Sequence, residues 1–231
     1  SLRRKRQQAI QLADQFLRSV FLDLFGDLEI NPKNWETRTL GDCITVGPTN
    51  GLYKHSSDYG EGTPILRIDG FYDGYMKSHE SMKRVLIAED ELNKFRLKNG
   101  SVVINRVNSK EYLGKCALIE NLIEPTVFES NMMNFELNES IVHPRFVVDQ
   151  MCTEFIKRQI LTNSKDAVNQ SSINQANVRS FNIRVPALKL QQRYVEIVSK
   201  FILSKKTNMT HMRECNSLFS SLSQKAFAGE L

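Results

Sequence analysis

The end of the chain constrains its architecture most. Residues 188–227 run for 40 positions without a glycine or proline. As one helix they would extend about 60 Å at 1.5 Å per residue. Few single-domain folds need so long a helix, so the stretch predicts a partner. Its apolar positions Val195, Val198, Ile202, Met209, Met212, Phe219 and Ala226 keep a seam, interrupted around Lys205-Lys206. A second helix is predicted at the other end, from Leu2 to Phe25. There Ile10, Ala13, Leu17, Val20 and Leu24 recur at spacings of three, four, three and four, which is a coiled-coil seam. Ala9, Phe16 and Phe21 widen its apolar face, and Gly26-Asp27 closes it.

The two ends repeat one another. Shifted by 202 residues, Ile10 meets Met212, Ala13 meets Cys215 and Leu17 meets Phe219. Val20 then falls on Leu222, Leu24 on Ala226 and Phe25 on Phe227. Both end alike, Phe-Gly-Asp-Leu against Phe-Ala-Gly-Glu-Leu. The same helical element therefore stands before and after a middle domain.

That middle reads as β-rich. The short apolar runs are 37–46, 63–69, 101–107 and 115–120. They are separated by the turn signals Gly47-Pro48, Asn50-Gly51, Asp73-Gly74 and Asn99-Gly100. Residues 46–62 read as one long polar loop, of the kind that carries function. A helix is expected to open at His143-Pro144, bury Val148, Met151, Cys152 and Phe155, and fade near Leu161. A polar tract, 162–180, precedes a last strand-like run. The fold class expected is α+β: a β-rich domain with short helices at 31–187, flanked by coiled-coil-forming long helices at 1–30 and 188–231.

Charge and cysteine usage narrow the function classes. The net charge is +5, yet residues 31–187 carry 19 basic and 19 acidic groups, so no uniformly basic surface exists. The charges are segmented, however. Residues 94–115 hold six basic groups against Glu111 alone, and 155–187 hold five against Asp166. Folding can gather these two segments into one phosphate-binding field, or leave them as alternating solvated patches. Cys43, Cys116, Cys152 and Cys215 form no C-x-x-C pair, a pattern expected of buried reduced thiols in a cytoplasmic protein. With His55, His79, His143 and His211 equally scattered, no metal site is expected. No apolar run approaches membrane-span length. The chain opens without methionine, inside a predicted helix, and is expected to be a fragment.

Catalytic motifs are missing. The sequence has no G-x-x-x-x-G-K-[ST] nucleotide loop and no Asn/Asp-Pro-Pro-Tyr/Phe methyltransferase motif. Glu89-Asp90-Glu91 is the densest carboxylate cluster and is expected to face water. A non-catalytic protein without cofactor follows.

Six segments, in their order and spacing, resemble the specificity subunit of type I restriction–modification enzymes. They are RRKRQQAIQLADQFLRSVFLDLFGD at the start, NPKNWETRTLGDC, TPILRIDGF, HPRFVVDQMCTEFIKRQI, the junction DAVNQSSINQANVRSFNIRVPALKLQQRYVEIV, and the terminal SLFSSLSQKAFAGEL. Two departures fall in the junction. Val185-Pro186-Ala187-Leu188 stands where the family has adjacent prolines, and Gln191-Gln192 where it has a glutamate first; both positions are structural. The resemblance implies a target-recognition domain that reads half of a bipartite DNA site, with helices that set the gap. The chain is similar to the C-terminal half of such a subunit, or to a half-subunit that dimerises antiparallel through its long helices. The partners implied are double-stranded DNA, methyltransferase subunits carrying S-adenosylmethionine, and a restriction subunit.

Base reading needs paired hydrogen bonds to base edges, and gripping needs cations on phosphate. Three segments supply candidates: Thr49, Asn50, Tyr53, Lys54 and His55; Asn105, Arg106, Asn108, Ser109 and Lys110; Lys165, Asn169, Gln170, Ser171 and Ser172. Arg67 reads equally as a DNA contact or a structural ion pair. Tyr72 and Tyr75 read as base-stacking or turn packing. Phe16, Phe21, Phe25, Phe219 and Phe227 exceed what a coiled coil needs. They are expected to bury against a methyltransferase subunit, or else in the chain's own core. Two other functions compete: a helical assembly or inhibitor module that does not touch DNA, and a recognition module of a fused nuclease–methyltransferase.

Overall fold

The computed structural model describes residues 2–167 and 170–204; in the first helix it describes side chains only at residue 12 and from residue 15 onward. Helix α1 spans Leu2–Phe25. Its end is tied by Trp35, whose Nε1 donates to the Phe25 carbonyl at 2.8 Å. The chain reverses through Asn31, at φ +53°, whose side chain bonds the Trp35 backbone in both directions. Asparagine tolerates this left-handed conformation better than most residues.

Strand β1 (Glu36–Thr39) runs into a single helical turn, α2 (Leu40–Cys43), and on into β2 (Ile44–Asn50). The predicted run 37–46 is thus broken, because Thr39 and Asp42 cap each other across the turn. Next come β3 (Tyr59–Leu66), the hairpin β4 (Phe71–Tyr72) and β5 (Tyr75–Met76), β6 (Lys83–Val85) and α3 (Glu89–Phe95). The acidic Glu89-Asp90-Glu91 cluster is the first turn of that helix, where carboxylates complement the helix dipole. The β-strands β7 (Val102–Asn105), β8 (Val107–Asn108), β9 (Cys116–Leu118), β10 (Val127–Phe128) and β11 (Met132–Leu137) follow. The expected single helix after His143 is two, α4 (Pro144–Met151) and α5 (Glu154–Asn163). Thr153 sits between them in extended conformation, its hydroxyl donating to the Gln150 carbonyl at 2.6 Å. The break re-aims the buried stripe. Cys152 is exposed and Phe155 half-buried, while Ile156 and Ile160 take the core positions.

The polar tract also folds. It contains β12 (Lys165–Asp166), β13 (Ser171–Ser172) and α6 (Gln175–Ser180), whose start is boxed by Asn174 and Asn177. Strand β14 (Asn182–Val185) pairs antiparallel with β1, and α7 covers 188–204.

The described residues form two compact units, one of Phe25–Gln191 and one joining residues up to Leu24 with those from Gln192 on. In the larger unit a four-stranded antiparallel sheet, β2-β11-β7-β9, forms the centre. Sequence reading missed β11, although it pairs both β2 and β7. All four residues of β7 are buried, so its apolar run does not alternate: Val103 joins Leu66, Phe71, Phe128 and Met132 in one core cluster. Cys116 of β9 meets α4, with Sγ 3.8 Å from the Val148 carbonyl. Beside this sheet, β3 pairs β6 antiparallel and β10 parallel.

Phe25 corrects the partner-binding expectation. It is wholly buried, its ring 4.7 Å from that of Phe146, because the chain turns at Gly26 and folds the helix end into the larger unit. In the smaller unit Phe16 stacks on Phe201 at 4.7 Å and Phe21 meets Tyr194 edge-on at 5.5 Å. As one number rises the other falls, so α1 and α7 run antiparallel. Phe21 is buried, whereas Phe16 is 43% exposed and leaves ring surface uncovered. Phe219, Phe227 and the seam beyond Lys205 lie outside the described residues.

Candidate nucleic-acid interface

Strand register places the predicted reading segments together. On β11, Met133 pairs with Asn50 of β2, and Met132 with Asn105 of β7. The end of β2, the start of β11 and the end of β7 therefore share one edge of the sheet. The turn into β11 is stitched to both neighbours. Gly51 N donates to Met132 O at 3.1 Å, and Arg106 N donates to Asn131 O at 2.8 Å. Arg106 Nη1 adds a bond to Ser130 O at 3.1 Å. Gly51 is required by close approach: a Cβ there would lie 2.2 Å from the Glu129 carbonyl oxygen.

The polar tract joins this edge. Ser171 pairs with Asn108 and Ser172 with Val107, while β12 pairs with β13. Ile173 N donates to Arg106 O at 3.0 Å. The tract then leads to α6, where the Arg179 guanidinium bonds the Gly47 carbonyl of β2. The described residues of this tract, 165–167 and 170–180, thus span from β8 to β2. Sequence reading missed Arg179, which helical placement in a supposed loop obscured.

The candidates fare differently. Thr49 and Asn50 are exposed on the end of β2, not in a loop. Tyr53 is 77% exposed. Lys110, Lys165 and Gln170 are exposed; Arg106 and Asn108 are half-buried. Asn108 Oδ1 accepts from the Ser109 amide at 2.8 Å, which turns the chain toward Lys110. Lys110 Nζ lies 2.6 Å from Asp166 Oδ2, and the Lys110 hydrogen bond holds the Asp166 carboxyl below its ordinary range, helped by Ser171. The turn 109–113 is held from below by Lys157, whose Nζ donates to the carbonyls of Lys110, Glu111 and Leu113 at 2.8–3.0 Å. Burial pushes the Lys157 ammonium down.

Three candidates are corrected. Asn105 is the last residue of a buried strand and is itself wholly buried, so its amide is closed off from a groove. Arg67 is a structural ion pair: its Nε lies 3.2 Å from Glu129 Oε2, and the other Glu129 oxygen accepts from Ile68 N at 2.6 Å. Lys54 is bonded to Glu91 at 2.7 Å, with most of its side chain covered. Asn169 lies outside the described residues. Tyr72 is exposed at the hairpin, whereas Tyr75 lies under the Arg145 guanidinium at 4.2 Å. Burial, then the Asp149 charge, push the Tyr75 hydroxyl up to about 12. Among the described residues no cluster of His, Cys, Asp and Glu could hold a metal ion, and no helix is long and apolar enough to cross a membrane.

What remains at the edge is a set of amide, hydroxyl and guanidinium groups beside exposed lysines. Such groups can pair with base edges and phosphates.

Residues 32–214 match the family model described as the type I restriction modification DNA specificity domain. The chain is 30% identical over 171 residues to the type I restriction enzyme MjaX specificity subunit of Methanocaldococcus jannaschii, covering 74% of this chain and 40% of that one. It is 29% identical over 204 residues to the StySPI specificity subunit of Salmonella potsdam, covering 85% and 43%. The chain thus spans less than half the length of these relatives. Two solved structures share the fold. The HsdS subunit from Thermoanaerobacter tengcongensis matches all of this chain and 54% of its own (TM-score 0.54, 17% identity). The type I restriction-modification S subunit from M. genitalium matches 94% and 54% (TM-score 0.58, 13% identity). With its family match covering most of its length, this chain belongs to the type I restriction modification DNA specificity domain family.

Proposed function

We propose that the chain is a non-catalytic DNA-recognition element that directs partner methyltransferase and restriction subunits to one half of a bipartite target. The observation that carries this reading is the convergence of residues 49–53, 106–110, 165–167 and 170–180 on one sheet edge. Arg106 and Lys110 grip the duplex beside Asn50, Asn108 and Gln170, which read base edges. Arg and Lys suit guanine or phosphate, and Asn or Gln suit adenine. The methyl donor, S-adenosylmethionine, sits on the partner subunit. Paired long helices act as the spacer between half-sites, and a second copy docked antiparallel along them supplies the other half.

The test is binding of the full chain, alone and with a modification subunit, to a library of duplexes. A preferred half-site is expected, and Arg106→Ala with Lys110→Ala should weaken binding at least ten-fold while complex formation persists. Equal affinity for every duplex would sink sequence reading and favour an assembly module.

A further inference from the structure

The sequence separates Cys116 from Cys152, but the fold brings them together. Their sulfurs lie 3.9 Å apart. Cys116 sits in β9, an outer strand of the four-stranded sheet, and is wholly buried, while Cys152 is exposed at the C-terminal cap of α4. An open cleft of about 210 Å³ leads to the pair, walled by Tyr72, Tyr112, Lys115 and Lys157. A disulfide needs sulfurs about 2.05 Å apart, so the pair must draw together from 3.9 Å for the bond to form. Cys43, also buried, belongs to the β1–β2 turn.

We propose that Cys116 and Cys152 form a peroxide-sensitive thiol pair that closes to a disulfide, tying β9 to the end of α4. The order of events follows from access. The Cys152 thiolate, reached through the cleft, attacks a hydroperoxide; the O–O bond breaks, water leaves after protonation, and Cys152 becomes a sulfenic acid. The Cys116 sulfur gives up its proton and attacks the Cys152 sulfur; the S–O bond breaks and a second water leaves. Two thiols are oxidised by two electrons, and one peroxide is reduced to two waters. Cys116 is unsuited to the first step. The neighbouring Cys152 thiol, followed by burial, hold its proton on, and at 1% exposure it is far less open to solvent than Cys152. As the resolving partner it needs only proximity.

The pairing is independent of DNA recognition and is tested without DNA. Full chain is treated with hydrogen peroxide, blocked with an alkylating agent under denaturing conditions, and digested for mass spectrometry. A peptide pair cross-linked through Cys116 and Cys152, reversed by dithiothreitol, is expected. The unfolding midpoint should rise by about 5 °C, because the bond closes a long loop in the unfolded chain. Cys152→Ser, a change at an exposed position, should leave Cys116 fully alkylatable after peroxide; Cys116→Ala should leave Cys152 to over-oxidise. The proposal is overturned if wild-type Cys152 passes to sulfinic or sulfonic acid with Cys116 still free, or if the disulfides found join other cysteines.

Discussion

Lys110 reaches from the turn after β8 to Asp166 on β12, with Nζ 2.6 Å from Oδ2, so a cation at the candidate interface is held by a carboxylate of the same edge. Both groups are largely exposed, and such a pair contributes little to stability. On the proposed reading its effect falls on DNA. Asp166→Asn releases Lys110 and removes a negative charge from the proposed interface, so affinity should tighten roughly two- to five-fold at low salt, with a steeper salt dependence. Fluorescence anisotropy across a salt series checks it. Unchanged affinity would place Lys110 away from the duplex.

Arg67 and Glu129 make a different kind of pair. Glu129 is nearly buried and accepts from both the Arg67 side chain and the Ile68 amide. Glu129→Ala leaves a covered N–H and a guanidinium without their acceptor and should cost about 2–3 kcal/mol in urea unfolding. Arg67→Ala should destabilise the chain yet leave the preferred DNA sequence unaltered. A changed sequence preference in a folded Arg67→Ala protein would return this residue to the reading surface.

Asn105 poses an unusual energetic problem. Neither its Nδ2 nor its Oδ1 has a hydrogen-bond partner, although both are buried. Each uncompensated amide group carries a desolvation cost, so Asn105→Val should stabilise the chain by about 1–2 kcal/mol. DNA binding should hold. Chemical denaturation of the two proteins side by side decides the matter; a large loss of stability would show that the amide is satisfied.

Phe25 and Phe16 separate core from docking surface. Phe25→Ala empties a filled site against Phe146 and should cost about 3–5 kcal/mol. Phe16→Ala removes a ring already partly exposed, so its loss should be much smaller. If a modification subunit uses the uncovered face, Phe16→Ala should weaken that complex in a pull-down titration without lowering the melting point comparably.

His143 gives a pH dependence with a defined sign. Its Nδ1 accepts from the Arg145 amide at the start of α4, and burial lowers its proton affinity from the ordinary 6.5. The unfolded chain therefore takes up a proton more readily than the folded one. Stability is full above about pH 6.5 and is lost as pH falls through the lowered folded value. His143→Asn, which retains a capping acceptor, should flatten this part of the profile, measured as melting temperature from pH 7.5 down to about 5.

Much of this was legible in the residues. The first helix and the start of the last show in their periodicity, and both carry an apolar face that the other meets at Phe16–Phe201 and Phe21–Tyr194. Runs such as 101–107 showed as strand because β-branched residues cluster between turn signals, and Val102–Asn105 of that run is β7. Elements held by long-range pairing were harder to see. Residues 132–137 gained their central place only through partners on β2 and β7, and the polar tract 162–180 looked like loop because its strands are two residues long.

Sequence alone determined that the chain is helical over 2–25 and from 188 to the last described residue, that its middle is β-rich, and which segments are polar candidates for base reading. Local propensity and apolar period reside in neighbouring residues, so these features can be read without a fold. Tertiary structure decided which polar residues are available. Asn105 and Asn108 stand three positions apart, yet one is sealed in the sheet and the other lies at its edge. Arg67 and Lys110 are both cations offered as DNA contacts, but Glu129 is 62 residues from the first and Asp166 56 from the second. Availability depends on strand register and distant charges, and neither is written within a short window of the chain.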